Sequence, residues 1–517
     1  MRDFVIEEGV LTGYNGPGRD VVIPDGVHMI GPEVFSGLEE LTSLTLPDSL
    51  TTIGARAFHS CFRLASLAIP NGVTSIGDKA FLGCESLTSL TFPDSVTSIG
   101  DGAFSECSGL TSVTLPDSIC IIGSCAFEAC GNLTSVTIPD RIPYIGQRAF
   151  RACPGLADRS GFVIIRDVLH SYHGSGSAVT IPANVSSIGD CAFFECENLR
   201  SLVIPDHVTS IGDNAFSMCE NLTSVTIPDS ITSIGECTFY NCTGLTEVLL
   251  PDSIVSIGRS AFEACSRLSS VTIPDGIRSI GDMAFHGCRG LADPEGFVIV
   301  RSRLHSYHGT DSAVTIPATA SSVGKCAFFE CDTVTALVIP EHVTSIGDYA
   351  FAMCENLRSV TIAGPAEIGD RAFSVCRRLT RLAVSCAEPL SGICADPDSP
   401  PLMVLRAPGL TPESFGGYKQ AAAAGFAEMV SEGHTFPGEQ EQAYEDWILR
   451  NRESLYPAAV TIPGLLRYMM MRRIIPGADV PTLLDLADRE GRTDLKAEIL
   501  QYSFRAFPGG PGESLDL

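Results

Sequence analysis

Leu222-Thr-Ser-Val-Thr-Ile-Pro-Asp-Ser-Ile-Thr-Ser-Ile-Gly-Glu-Cys-Thr-Phe-Tyr-Asn-Cys242 is one instance of a unit that recurs every 23 residues through most of the chain. Its Ile-Gly pair starts at Ile30, Ile53, Ile76, Ile99, Ile122 and Ile145. It resumes at Ile188, Ile211, Ile234, Ile257 and Ile280, and returns as Val323, Ile346 and Ile368, fourteen copies in all. A fixed short period is the signature of stacked repeats, and it decides the architecture before any single residue is read. With 517 residues, size alone suggests several globular domains. A solenoid grows along one axis and never has to divide its core.

The copy from Leu87 to Cys107 shows the local logic. Leu90 and Phe92 alternate with Thr91, the period of a strand with one buried face. Pro93-Asp94 supplies a turn, because Pro presets φ and Asp hydrogen-bonds the backbone ahead. Val96-Thr-Ser-Ile99 reads as a second short strand that Gly100 ends. Asp101 is then predicted to cap a single helical turn carrying Ala103, Phe104 and Cys107 inward. A lone coil buries too few side chains to offset the entropy of ordering 23 backbones, so each needs its neighbours.

Asp and Glu outnumber Lys and Arg by 61 to 34, a net charge of −27. That balance disfavours nucleic acids and anionic membranes as partners. Met1-Arg2-Asp3 runs straight into Phe4-Val5-Ile6 with no secretory signal, and no apolar run approaches the ~20 residues of a membrane span. The expectation is a cytoplasmic protein, with the cell surface or secretion as the alternative if a leader has been removed. Thirteen of the 20 cysteines occupy one repeat position, from Cys61 to Cys376. In the first repeat that position is Leu38, so it wants a small apolar body, and free Cys behaves as one. Buried thiols are therefore expected ahead of disulfides or metal ligation. The Cys125/Cys130 pair, five apart, also lacks zinc-knuckle spacing.

The rhythm breaks twice. Ile145 to Ile188 and Ile280 to Val323 each span 43 residues, because Gly161-Phe-Val-Ile-Ile-Arg-Asp-Val-Leu-His-Ser-Tyr-His-Gly174 and Gly296-Phe-Val-Ile-Val-Arg-Ser-Arg-Leu-His-Ser-Tyr-His-Gly309 are inserted. Phe4-Val-Ile-Glu-Glu-Gly-Val-Leu-Thr-Gly-Tyr14 is the same hairpin-like element. The Leu-x-x-Val-x-Ile-Pro strand, the Ile-Gly-x-x-Ala-Phe-x-x-Cys segment and the Phe-Val-Ile…Leu-x-x-Tyr-x-Gly insert resemble the BspA-like branch of the leucine-rich repeat family, over residues 3 to about 425. Val404-Leu-Arg-Ala-Pro and Tyr418-Lys419 look like that family's terminal strand and following helix. The resemblance implies a right-handed, β-rich solenoid used for protein binding or adhesion, often on bacterial or protist surfaces.

The expected fold is thus a β-rich leucine-rich repeat solenoid of about 14 coils, with two short strands and one helical turn each and three extra hairpin coils. A small all-α C-terminal domain follows. The solenoid is expected over residues 1–385, in blocks 1–157, 158–292 and 293–385. A terminal strand, helix and Pro-rich linker are placed at 386–430, a helical domain at 431–505 and a disordered tail at 506–517. Apolar spacing predicts helices over Glu439–Tyr456, Leu465–Ile474, Val480–Arg489 and Asp494–Phe504, with Trp447 anchoring their core.

No phosphate-binding loop, nucleophile elbow or zincin motif occurs, and no nucleophile–base pair stands out, so no enzyme activity and no cofactor are expected. His170-x-x-His173 and His305-x-x-His308 come nearest to a metal motif, but exposed turn histidines are the simpler reading. Asp25, Asp48, Asp94, Asp117, Asp140, Asp206, Asp229, Asp252, Asp275 and Glu341 form an acidic turn column. Calcium is disfavoured there, because Pro-Asp makes a good turn without it and Asn71, Ala183 and Ala318 interrupt the series. Outward strand positions are nearly uniform Ser and Thr. Variation gathers beside the Phe-x-x-Cys turn, where Phe194, Met218, Tyr240, His286, Phe329 and Met353 form a possible partner-contact edge. The expected function is a non-enzymatic protein–protein interaction scaffold with a protein partner. The alternative is a surface or secreted adhesin for host protein or carbohydrate, implied by the family resemblance alone.

Overall fold

The computed structural model describes residues 3–385, 402–408 and 410–507. The chain forms two compact units, Met1–Gly290 and Leu291–Leu517. Both contain stacked coils 23 residues apart, and the second ends in helices.

In each coil the Ser-Val-Thr segment is a short parallel strand. Ser112–Thr114, for example, pairs in register with Ser135–Thr137. Past the Pro-Asp turn, the Ser-Ile pair forms a second ladder, with Ser98–Ile99 between Ser75–Ile76 and Ile121–Ile122. Side chains with no other use reinforce both ladders. Thr88 Oγ1 donates to the Ala65 carbonyl at 3.1 Å, and Ser95 Oγ to that of Val73 at 2.7 Å.

The third wall differs from its sequence reading. The segment expected as one helical turn is a run of linked tight turns with two left-handed residues per coil, such as Arg56 (φ 54) and Ser60 (φ 60). The N–H groups of Ala57, His59 and Cys61 donate back to the carbonyls of Gly54, Arg56 and Phe58. Those of Arg56, Phe58 and Ser60 donate forward to Asp78, Ala80 and Leu82 in the next coil, at 2.8, 2.8 and 2.7 Å. Reversing alternate peptide planes thus pairs every amide in the run. A non-glycine residue at positive φ costs on the order of 1 kcal/mol, which the two-way pairing outweighs. Asp101 caps no helix. Its Oδ1 accepts the N–H of Ser124 one coil on, at 2.7 Å, as Asp78 does for Asp101.

The turn wall aims Phe and Cys inward. Rings from Phe35 to Phe150 stack face to face, with centroids 5.0 to 5.5 Å apart and planes within 9°. Cys84 donates its thiol hydrogen to the Phe58 carbonyl at 3.4 Å, and Cys107 to that of Phe81 at 3.2 Å. The position therefore takes a small apolar body that is also a weak donor. All eighteen described cysteines are free. Burial pushes the Cys61 and Cys153 thiols up to about 12, which keeps them protonated.

Each inserted element is an antiparallel hairpin: Phe4–Glu7 with Val10–Tyr14, Phe162–Ile165 with Val168–Tyr172, and Phe297–Val300 with Arg303–Tyr307. The second strand joins the parallel ladder of the following coils, as Leu169 does opposite Ile188. Gly161 closes the second hairpin at φ 91, where a Cβ would lie 2.2 Å from the Gly174 nitrogen. Val5 is 41% exposed and its counterpart Val163 0%, a difference set by the coil that precedes the internal hairpin.

In the second unit, Arg381–Val384 pairs with the terminal strand Val404–Arg406. Helix α1 (Lys419–Ser431) lies on that strand through Ala421–Ala424 and Gly425, where a Cβ would come within 2.1 Å of the Leu405 carbonyl oxygen. Glu428 clamps the contact, accepting from Arg381 at 2.6 Å and Arg406 at 3.1 Å. Helices α2 (Gly438–Thr461), α3 (Pro463–Met471), α4 (Val480–Arg489) and α5 (Thr493–Ala506) follow. The second helix runs past Tyr456, where the apolar spacing ends it, and carries Pro457 in its interior, because Leu455, Tyr456, Ala459 and Val460 are all buried around it. Its core is Phe426 stacked on Tyr444 at 4.3 Å, while Trp447 is half-buried beside it. Most of the Pro-rich linker (residues 386–401) and residues 508–517 of the expected tail lie outside the described residues; Ala506 ends α5.

Phe104→Ala is expected to lower unfolding free energy by about 3–5 kcal/mol, because the stack above and below holds the vacated space open. Chemical denaturation followed by circular dichroism checks this.

Candidate functional site

The two features that suggested bound ions resolve differently. Every member of the acidic turn column is exposed. Among the described residues no three His, Cys, Asp or Glu side chains converge as metal ligands. The histidine reading needs correction at two of its four positions, while His173 is exposed beyond its strand as expected. His170 and His305 are not exposed turn residues but strand residues 5% and 1% exposed. His170 packs its ring edge-on against Phe150 at 5.7 Å, where a regular coil would supply another Phe. Burial depresses its pKa from 6.5 to about 4, so the imidazole is neutral at pH 7.

The neighbouring strand position holds a pairing the sequence reading missed. Ser171 Oγ lies 3.0 Å from His173 Nε2, and Ser306 and His308 repeat the contact at 3.0 Å. Burial, then the Arg151 charge, lowers the His173 pKa. A Ser near the end of a strand with a His two residues on, just past it, is the only signal for it. Ser171 is 4% exposed, and no carboxylate is hydrogen-bonded to His173 among the described residues, so the pair lacks both access and an orienting acid.

The variable edge falls into two registers. Phe194, Tyr240, His286 and Phe329 directly follow the stacked ring position. Met218 (φ 61) and Met353 (φ 60) occupy the left-handed position one residue later and so leave the backbone in another direction. Phe194, Met218, Tyr240 and His286 are half-buried; Phe329 and Met353 are each 40% exposed.

One stretch of this edge, in the first unit, is chemically dense. Glu128 accepts from Arg148 and Arg151, both at 2.7 Å. Burial alone would raise its carboxyl, but hydrogen bonds from Arg151, Cys125 and Arg148 outweigh it and hold the group below the usual carboxylate range. Burial, then the Glu128 hydrogen bond, pushes Cys125 up to about 11. Arg151 also lies over the Phe194 ring at 5.0 Å, a cation–π contact that reaches across the inserted hairpin. Glu128 and Arg151 are one repeat apart, a spacing that could have exposed the pair. Two hollows flank the same hairpin. One of about 670 Å³ is lined by Arg159, Tyr172, His173 and Gly174, and one of about 400 Å³ by Arg148, Arg166, His170 and Asp190.

A family model described as a BspA type leucine rich repeat region of six copies matches residues 14–96, 74–160, 164–292 and 303–391. The chain belongs to the BspA-type leucine-rich repeat family. Among solved structures it is similar to a leucine rich cell surface protein from Faecalibacterium prausnitzii, at 29% identity over 56% of this chain and 90% of that one, with a TM-score of 0.41. A leucine-rich repeat protein from Bacteroides ovatus shares 33% identity over 52% of this chain and 70% of that one, with a TM-score of 0.37. No curated protein matches. Among the described residues no helix is long and apolar enough to cross a membrane.

Because the folded His170 pKa lies below its unfolded value, its contribution to stability is complete above about pH 6.5 and is lost as pH falls toward 4. Replacing it by Phe is expected to remove up to about 3 kcal/mol of acid destabilisation between those pH values. Melting temperatures of the two proteins, compared from pH 7 to pH 4, test the difference.

Proposed function

We propose that this BspA-type repeat protein is a non-enzymatic scaffold that grips a protein partner along the edge beside its stacked Phe column. The family is a repeat scaffold for protein interaction. The observation that carries the finer reading is the contrast between faces. The outward strand positions repeat Ser and Thr in most coils, as at Ser89, Ser112 and Ser135, with departures at Val22, Val203, Glu247 and Leu249, and so offer less that distinguishes one coil from the next. The edge instead presents Arg151, Phe194, Met218 and Tyr240 in succession, with His286 further along. Arg, Tyr, Phe and Met are the residue types enriched at protein–protein contacts. Met218 and Tyr240 stand on a wall whose amides are paired on both sides, so little order is lost there when a partner binds. In the second unit, taken by itself, Phe329 and Met353 occupy the same edge positions of their coils and are each 40% exposed.

Phe194→Ala combined with Tyr240→Ala is expected to weaken the partner complex at least about tenfold, about 1.4 kcal/mol, at an unchanged melting temperature. Affinity purification with the wild-type chain identifies the partner, and titration calorimetry compares the variant. Unchanged affinity would move the contact to another face.

A further inference from the structure

The inserted hairpin at 161–174 interrupts more than a period. Between adjacent regular coils, backbone hydrogen bonds run along the turn wall and at least one of the two strand ladders. At this hairpin they stop together. Ser135–Thr137 has no strand partner on its far side, and neither does Tyr144–Ile145. The N–H groups of Arg148, Phe150 and Ala152 occupy the positions that donate forward elsewhere, yet they meet no acceptor among the described residues. No backbone hydrogen bond among the described residues joins residues 3–157 to residues 159–290.

What crosses the seam is side chain. Ile165 packs against the apolar core of the first block, which runs from Leu11 to Cys153. His170 meets Phe150 edge-on in place of a stacked ring. Arg151 covers Phe194, and Arg166 reaches back to the carbonyls of Pro139 and Ile142. Hollows of about 670 and 400 Å³ flank these contacts. The division of the chain into two units falls at Gly290 and Leu291, directly ahead of the second internal hairpin.

We infer that the hairpin at 161–174 uncouples its neighbours, so that residues 3–157 and 158–290 open and unfold as separate cooperative blocks. In a solenoid, cooperativity is carried by the interface between neighbouring coils. A seam with no backbone pairing transmits far less of it than a regular junction does. The hairpin thus acts as a breaker that keeps a local opening from travelling the length of the stack. It gives the contact edge a line of flexure between Arg151 and Phe194.

The buried cysteines report on this coil by coil. In the full-length protein, pulsed alkylation at increasing denaturant, read by peptide mass spectrometry, measures the opening of the four fully buried thiols from Cys61 to Cys130 and of the four from Cys219 to Cys288. Leu222 is fully buried in the second block, and Leu110 in the first. Leu222→Ala is expected to accelerate labelling of the second set at least about tenfold while leaving the first within about twofold, with Leu110→Ala giving the mirror result. If Leu222→Ala unfolds its block outright, continued protection of the first set still supports uncoupling. Equal acceleration of both sets by either substitution would overturn it.

Discussion

Every coil depends on the same constraint: a third of its backbone can be hydrogen-bonded only if alternate amides face opposite ways. The turn wall meets that constraint with two left-handed residues per coil, most of them not glycine. The strained residues are what allow Arg56, Phe58 and Ser60 to bond forward while Ala57, His59 and Cys61 bond back. Buried amides without partners are costly, so the wall cannot relax into an ordinary helical turn without stranding the forward donors. Phe stacking and Cys placement follow from that geometry, since it sets identical side chains one above another in the core.

The architecture was legible in the sequence because period carries it. Ile-Gly at 23-residue spacing, the hydrophobic alternation around Leu90 and Phe92, and the two 43-residue gaps specify stacking, strand faces and hairpins without reference to any distant contact. What escaped the reading depends on the neighbouring coil. Asp101 looks like a helix cap within its own segment, and only the next coil reveals that its carboxylate serves Ser124. His170 looks like a turn residue until Phe150 is seen against it. The apolar spacing ends the helix at Tyr456, yet burial of the residues around Pro457 carries it through.

The candidate site was legible only in outline. Chemical variety beside the Phe column is visible in the sequence, but the division into two registers is not, because it follows from the left-handed conformation at Met218 and Met353. The Arg151–Phe194 contact spans 43 residues of sequence, and it arises only because the inserted hairpin takes little width along the edge.

The Pro-Asp turns have a collective consequence. Asp94, Asp117 and Asp140, and again Asp206, Asp229, Asp252 and Asp275, are exposed on successive coils in the first unit. Neighbouring strands lie about 4.8 Å apart, well inside the ~8 Å Debye length of physiological saline. These carboxylates therefore share one ionic atmosphere and behave as a line of charge rather than as separate ions. Each run therefore screens as a unit, and added salt relieves its internal repulsion more than it would that of isolated carboxylates.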